Sequence, residues 1–305
     1  MAPAEVVACL TRGKIILLQA GDARQELHSP YAAEAAARAG APVPFVDVAR
    51  GRRTGELCYA LSVAGVSSVL TQVPGSGDER RLFSAEAEIR DLDFSFADEA
   101  LACTVRSKDG SSAIGLLADD GKGMRTVTEG DVLDRGPRWA PGGRGEIVYA
   151  SAGIGRTKSG LRGGLAPSSL HRLNLAESTV EVLVADAKYD YVAPVPVSNL
   201  LIYALRRAHH APAQAPLGVL GRLLSPFRRK ANAPSPDEAG VGDELVRITE
   251  RGMEAVAQGV LAFDVSAAGV IVYASASAVF RLAAQSPSQS EQIAELQHVE
   301  QLVIC

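Results

Sequence analysis

The sequence feature that most constrains the fold is a short apolar run that recurs along the whole chain. The runs are centred on cysteine or tyrosine, at Cys9, Tyr59, Cys103, Tyr149, Tyr203 and Tyr273. The intervals between these centres are 50, 44, 46, 54 and 70 residues. A period of about 45 residues is what one four-stranded propeller blade needs. The chain is therefore predicted to be a series of similar antiparallel β-units.

Each apolar run follows an alternating segment that ends in turn residues. The clearest copies span 93–105, 137–151 and 263–275. Because Val, Ile and Tyr suit strands and the breaks hold turn-forming residues, each copy is typical of a β-hairpin. A third and a fourth strand are expected to follow, as at 113–123 and 124–130.

One of these copies resembles the repeat of a known family. The segment WAPGGRGEIVYAS at 139–151, together with IGLLADDGKGMRTVTEGD at 114–131, is similar to the repeats of TolB-like β-propellers. The family pattern W-S-P-D-G-x-x-I-x-F-x-S is matched by Trp139, Pro141, Gly142, Ile147, Tyr149 and Ser151. The chain also resembles a bacterial subgroup that shares the segments S-A-G-I-G-R and P-L-x-x-L…S-P-F-R. The resemblance implies a propeller fold and packing roles, and it implies no substrate.

These patterns predict an all-β, six-bladed β-propeller of four-stranded antiparallel blades in a single domain, 1–305. The expected blades are roughly 1–41, 42–86, 87–130, 131–185, 186–251 and 252–305. The C-terminal segments IAELQ and VEQLVIC are expected to add a strand to the first or last blade, because such closure removes exposed sheet edges. The Ala-rich stretch 31–40 is expected to form a short helix.

Composition and cysteines narrow the function classes. Lys and Arg total 31 against 35 Asp and Glu, so a generally basic nucleic-acid binder is excluded. No signal peptide and no run of about 18 apolar residues is found, which favours a cytoplasmic protein, or one peripheral to the inner membrane face. The four cysteines are far apart and are expected to be free, buried thiols. No metal and no cofactor is predicted.

The segment 206–244 is predicted to be a basic, Pro-rich insertion with a short amphipathic helix in the region of blades 5 and 6. Six Lys or Arg and no acid lie between 206 and 230. Three interpretations stay open: packing on the propeller, binding to an anionic membrane, or docking to a protein partner. The candidate contact residues are Arg206, Arg207, Leu217, Leu220, Arg222, Leu224, Phe227, Arg228, Arg229 and Lys230.

A second insertion, 151–171, is rich in glycine and free of acids. Glycines let backbone N–H groups approach an anion, and cations would neutralise it. The candidate ligand-binding residues are therefore Arg156, Lys158, Arg162 and His171. The alternative is an ordinary solvated loop.

The sequence favours a non-catalytic interaction scaffold. No H-E-x-x-H and no G-x-S-x-G motif occurs, and Trp139 sits at a repeat position that predicts packing between blades. The expected partner is a protein or an anionic membrane surface, not a nucleic acid. The alternative is an enzyme or small-molecule binder that takes an anionic ligand at the channel mouth. The oligomeric state is left open.

Overall fold

The strands of the protein sort into six four-stranded antiparallel units, which we call blades 1 to 6. The structure, a computed structural model, describes residues 6–19, 23–118, 123–142, 145–157, 160, 162–210, 243–282 and 290–305. Within those ranges every unit is an antiparallel ladder, and one parallel pair, Ser112 with Leu133, joins the ladders of blades 3 and 4 into a nine-stranded sheet. The fold is therefore an all-β propeller.

The first three blades contain the following strands, from the innermost outwards. Blade 1 has β25 (Val299–Ile304), β1 (Val7–Thr11), β2 (Lys14–Leu18) and β3 (Arg24–Glu26). Blade 2 has β4 (Phe45–Arg50), β5 (Leu57–Val63), β6 (Val66–Gln72) and β7 (Glu79–Ala85). Blade 3 has β8 (Glu88–Ser95), β9 (Ala100–Arg106), β10 (Ser112–Ala118) and β11 (Met124–Thr126).

The last three blades follow the same order. Blade 4 has β12 (Val132–Trp139), β13 (Glu146–Arg156), β15 (Ser169–Asn174) and β16 (Thr179–Val184). Blade 5 has β17 (Tyr189–Ser198), β18 (Leu201–Ala208), β19 (Asp243–Thr249) and β20 (Gly252–Val260). Blade 6 has β21 (Ala262–Val265), β22 (Ile271–Ala274), β23 (Ala278–Leu282) and β24 (Ser290–Glu295). A short extra strand, β14 (Arg162–Leu165), pairs with β13.

All six repeat centres lie in the second strand of their blade. That strand has a sheet neighbour on both sides and a blade packed on both faces, which is why it reads as a nearly continuous apolar run. Cys9 and Tyr59 are fully buried there, and Tyr149 is 4% exposed. The period found in the sequence therefore marks a largely buried strand in each blade.

Six apolar clusters fill the six spaces between neighbouring blades. One lies between blades 1 and 2, and the others follow around the ring to the space between blades 6 and 1. The core is thus a ring of interblade layers. Trp139 belongs to the cluster between blades 3 and 4, which confirms its predicted packing role.

The ring is closed by β25, which pairs with β1 from the opposite end of the chain. Each innermost strand contacts the next, in the order β25, β4, β8, β12, β17, β21 and back to β25. The C-terminal tail therefore supplies the innermost strand of the first blade, one of the two placements that the sequence predicted. It removes an exposed edge from β1.

The predicted helix is present as α1, Pro30–Ala39. Ser29 caps it, because its hydroxyl accepts a hydrogen bond from the Ala32 backbone N–H at 3.0 Å. Pro30 suits the first turn, and Gly40 ends the helix with a φ of 66°. No helix among the described residues is long and apolar enough to span a membrane.

Three details differ from the sequence-based expectation or lie beyond it. The segment 252–260 is β20, which pairs with β19, so the boundary between blades 5 and 6 follows residue 260 instead of 251. The Gly-rich segment 151–171 is largely strand: β13 continues to Arg156 and pairs there with β14 in antiparallel fashion. The helix predicted in the basic insertion falls on 211–242, outside the described residues. The ends of that insertion, 206–208 and 243–244, are strand.

Candidate functional site: the central channel and its mouth

The innermost strands of all six blades surround a central cavity of about 190 Å³. Its lining includes one residue from each of these strands: Gln301, Asp47, Asp91, Gly136, Ala193 and Ala262. A second, wider cavity of about 520 Å³ lies where the innermost strands end. We call this second cavity the mouth cleft. The side of the ring that carries it is the mouth face, and the opposite side is the hairpin face.

The rim of the mouth cleft is apolar and aromatic. Phe96, in the turn between β8 and β9, is 60% exposed and packs edge-on against Phe94, with ring centroids 5.4 Å apart. Blades 4 and 5 complete this rim with Trp139, Pro141, Pro196 and Val197. An exposed aromatic side chain beside a concave surface is typical of a binding site.

The floor of the mouth cleft is formed by two ion pairs. Arg50 Nη2 lies 3.0 Å from Asp264 Oδ2, and Arg138 Nη1 lies 3.2 Å from Asp93 Oδ1. Burial opposes the charge of Arg138, but the carboxylates of Asp93 and Asp264 outweigh burial and raise the pKa of its guanidinium. The site thus combines an apolar rim with cations that are held in place by acids.

The acids of the channel also hold neighbouring blades together. Asp93 Oδ2 accepts a hydrogen bond from the Trp139 backbone N–H at 2.7 Å, and Asp264 Oδ2 accepts one from Ile304 N–H at 2.9 Å. Asp47 Oδ2 likewise accepts a hydrogen bond from the Leu92 backbone N–H at 2.9 Å. In each case a carboxylate on one innermost strand accepts from the backbone of the next one. These acids therefore have a structural role as well as a place at the site.

Asp47 is an acid of the channel wall whose pKa is strongly raised. Burial and the nearby Asp91 carboxylate raise its pKa from 3.8 to about 7, although the Leu92 and Val48 backbone N–H groups and the Gln301 side chain favour the charged form. The channel wall thus carries a carboxyl group that titrates near neutral pH.

Two of the ligand-binding residues predicted from the Gly-rich insertion, Arg156 and His171, have described side chains, and neither lines the mouth cleft. Arg156, at the end of β13 on the hairpin face, pairs with Asp109 at 2.8 Å and with Asp131 at 2.6 Å. Lys158 lies outside the described residues, and Arg162 begins β14. His171 is part-buried in β15, where its Nε2 lies 2.8 Å from Ser169 Oγ; burial lowers its pKa although Asp134 opposes this.

The contact residues predicted in the basic insertion are described only at its start. Arg206 pairs with Glu244, with Nε 2.7 Å from Oε2, and its guanidinium lies 4.9 Å from the centre of the Tyr189 ring. Arg207 Nε lies 3.9 Å from Asp190 Oδ2. The remaining eight lie outside the described residues: Leu217, Leu220, Arg222, Leu224, Phe227, Arg228, Arg229 and Lys230.

Both insertions leave the ring on the hairpin face. The strands β13 and β18 run antiparallel to the innermost strands β12 and β17, so they end on the side where the innermost strands begin. This is the side opposite to the mouth cleft.

Sequence reasoning missed the mouth cleft, although a signal for it exists. The hairpin copies place Asp93, Arg138 and Asp264 at similar positions just before their turns. Charged residues at that repeated position point into the ring, which an ordinary hairpin would not require. Phe96 stands in the turn of the same copy as Asp93.

The architecture defines the class of this protein as a β-propeller. Among solved structures, TolB from Acinetobacter baumannii superposes with a TM-score of 0.64 at 10% identity, over 99% of this chain and 66% of that chain. The fold is thus a TolB-like propeller, as the sequence motifs predicted. This chain corresponds to just under two thirds of that TolB.

Other solved propellers are also similar. A chain of the nidogen/laminin complex superposes with a TM-score of 0.62 at 9% identity, over 99% of this chain and 98% of that one. The tricorn protease gives a TM-score of 0.57 at 11% identity, over 98% of this chain and 34% of that one. The sequence matches no protein-family model and no curated protein. At these identities the likeness extends to the fold alone.

Proposed function

We propose that this protein is a non-catalytic interaction scaffold that binds a segment of a partner protein in the mouth cleft. The observation that carries this proposal is Phe96, 60% exposed on the rim of a cleft of about 520 Å³. Aromatic side chains and arginine are the residue types most enriched where protein interfaces have their strongest contacts. The mouth cleft offers both on a rigid ring.

The walls of the cleft favour a rigid receptor. Trp139, which is 9% exposed, is fixed by two hydrogen bonds to Asp93: its backbone N–H donates to Oδ2 at 2.7 Å and its Nε1–H donates to the carbonyl oxygen at 3.1 Å. Arg50 is held by Asp264. A receptor whose side chains are ordered before binding loses less entropy when the partner arrives.

Similar structures add limited support. The nidogen/laminin complex contains a chain of this fold inside a protein complex, whereas the tricorn protease contains one inside a protease. The same fold thus serves both kinds of protein. The proposal of a protein partner for this chain therefore depends on the exposed aromatic rim of the mouth cleft.

The proposal is tested by affinity purification from the native cell with Phe96→Ala and with a matched control. Val73→Ala removes an apolar side chain that is 36% exposed just after β6 of blade 2 and is not part of the lining of the mouth cleft. We expect proteins recovered with the wild type to be depleted at least about tenfold by Phe96→Ala, since truncating an aromatic anchor of an interface costs on the order of 2 kcal/mol. Equal recovery with both variants would contradict binding at the mouth cleft.

The basic insertion is a separate part of the proposal. We expect the 206–230 segment to contact an anionic membrane or a partner from the hairpin face, because its six cations and lack of acids contrast with an acidic body. A variant without 211–240 should lose salt-sensitive binding to anionic vesicles and keep its thermal unfolding transition. Equal vesicle binding by both proteins would rule out this role.

The alternative, an anionic ligand bound by Arg156, Lys158, Arg162 and His171, is less favoured. Arg156 is already engaged by Asp109 and Asp131, so a ligand would have to displace two carboxylates. A thermal-shift screen with phosphorylated and carboxylated metabolites tests it. A ligand that raises the melting temperature of the wild type and not of Arg156→Met would revive this alternative.

A further inference from the structure

The outermost strand of blade 4 is an exposed and nearly uncharged β-edge. The strand β16 has a partner on one side only, β15, so half of its backbone groups face outwards. Val180 and Val182 are 52% and 57% exposed. They are two of the four large apolar residues that are more than half exposed in the described part of the chain.

The other five outermost strands carry the protections that edges usually have. Charge, shortness or register shifts discourage another chain from pairing with them. The strand β3 has Arg24 and Glu26, β7 has Arg80 and Arg81, β11 spans three residues, β20 contains two register shifts, and β24 has Glu291 and Glu295. By contrast, β16 pairs regularly from Thr179 to Val182 and shifts only beyond that.

The exposed valines continue an interblade core outwards. Val180 lies opposite Leu173, and Val182 lies opposite His171, so both share the face that Leu173 presents to blade 3. This face is left open at the rim because β11, the outermost strand of blade 3, ends after Thr126. A strand added to β16 would therefore place its own apolar side chains on an existing apolar layer.

The charges around β16 indicate what kind of strand fits. Glu181 is its one charged residue, and Arg172 lies 3.5 Å away and neutralises it. Glu177, exposed just before the strand, has no ion-pair partner among the described residues. Beyond the other end, Asp186 and Lys188 are both exposed and offset each other. One end of the edge is thus acidic, and its middle is neutral.

We propose that the β16 edge binds an extended strand of another protein, with alternating apolar side chains and a Lys or Arg at the end beside Glu177. Backbone hydrogen bonds would supply affinity, and Val180 and Val182 would select apolar residues at alternate positions. A single short strand buries less than a standard interface, so the binding is expected to be weak and transient. This surface lies on the circumference and is independent of the mouth cleft.

Hydrogen exchange with a synthetic peptide tests the proposal. The probe is a capped peptide of sequence Thr-Val-Thr-Val-Thr-Val-Lys, compared with the same peptide ending in Glu. We expect the lysine peptide to slow exchange of the 180–184 amides about tenfold at saturation, and the glutamate peptide to do so less at equal concentration. Val182→Lys should abolish the protection, while the matched edge variant Gln292→Lys on β24 should keep it.

Three results would overturn the inference. One is unchanged exchange at β16 in the wild type with the lysine peptide. Another is equal protection in Val182→Lys, which would place the peptide elsewhere. The third is protection of β16 in the protein alone that increases with protein concentration, because that would make a second copy the occupant. The Phe96→Ala variant should bind the peptide like the wild type, so failure here leaves the mouth-cleft proposal standing.

Discussion

At the scale of single residues, the inner wall of the ring depends on carboxylates that bind backbone N–H groups of the next blade. Asp47 is one of these acids; it is 1% exposed, and burial raises its pKa to about 7 in spite of those hydrogen bonds. Between about pH 4 and 7 the native state holds a proton that the unfolded chain has lost. The free energy of unfolding should therefore fall as pH rises through this window.

Asp47→Asn tests this assignment. Between pH 5 and 7 the free energy of unfolding should fall less steeply with pH in the variant than in the wild type. The difference in slope should be up to about 1.4 kcal/mol per pH unit, because that is the slope that one bound proton gives. The measurement is urea unfolding at four pH values. The exposed residue Asp78 provides the control, as Asp78→Asn should leave the slope unchanged. A slope equal to that of the wild type in Asp47→Asn would show that Asp47 does not titrate there.

The two kinds of arginine pair in this protein should differ in energy. Arg138→Met would leave the largely buried Asp93 carboxylate without its cation, which typically costs about 3 kcal/mol or more. Arg156→Met breaks pairs whose acids are more than half exposed, Asp109 at 52% and Asp131 at 59%, so we expect the smaller cost there, because solvent screens exposed ion pairs. Chemical denaturation of both variants checks the order, and a smaller effect for Arg138→Met would contradict it.

At the scale of elements, β25 is the piece on which closure depends. Removing residues 299–305 would expose the edge of β1 and would deprive Asp264 of the Ile304 N–H. We expect such a chain to lose its cooperative unfolding transition, measured by calorimetry. Leu302, Val303 and Ile304 also leave the core in this truncation, and each such loss costs on the order of 2 kcal/mol or more.

A circular permutant tests whether closure of the ring by β25, and not the position of the chain ends, is what cooperative unfolding requires. Joining residue 305 to residue 6 by a short linker and opening the chain within 211–242 keeps every described strand, because Cys305 N–H already donates to the Val6 carbonyl at 2.7 Å. We expect this permutant to unfold cooperatively, like the wild type. A permutant that fails to fold would show that closure by β25 is not the reason for the loss in the truncated chain.

The elements predictable from the sequence were those with a local signal. The second strand of each blade is buried on both faces, so its apolar run and its period were visible, and α1 was visible from its alanines and its cap. The outer strands were harder, because exposed residues follow no apolar pattern. For that reason the predicted blade boundary at residue 251 places β20 in the wrong blade, and the glycines of 151–171 indicate a loop where β13 and β14 pair.

At the scale of the whole molecule, the mouth cleft exists only because the ring closes. Arg50 and Asp264 form one ion pair although 214 positions separate them in the chain, and the rim combines blades 3, 4 and 5. No local spacing could reveal such a site. The sequence candidates came instead from two compositional outliers, the Gly-rich and the basic insertions, and both of these leave the ring on the opposite face.

The most direct test of the account is photo-crosslinking from the rim of the mouth cleft in the native cell. A photoreactive phenylalanine analogue is placed at position 96 and, as a control, at position 73. We predict a discrete protein adduct from position 96 that is absent from position 73, because the partner segment binds against the aromatic rim. The same adducts from both positions, or none from position 96, would contradict the proposal that the mouth cleft binds a partner protein.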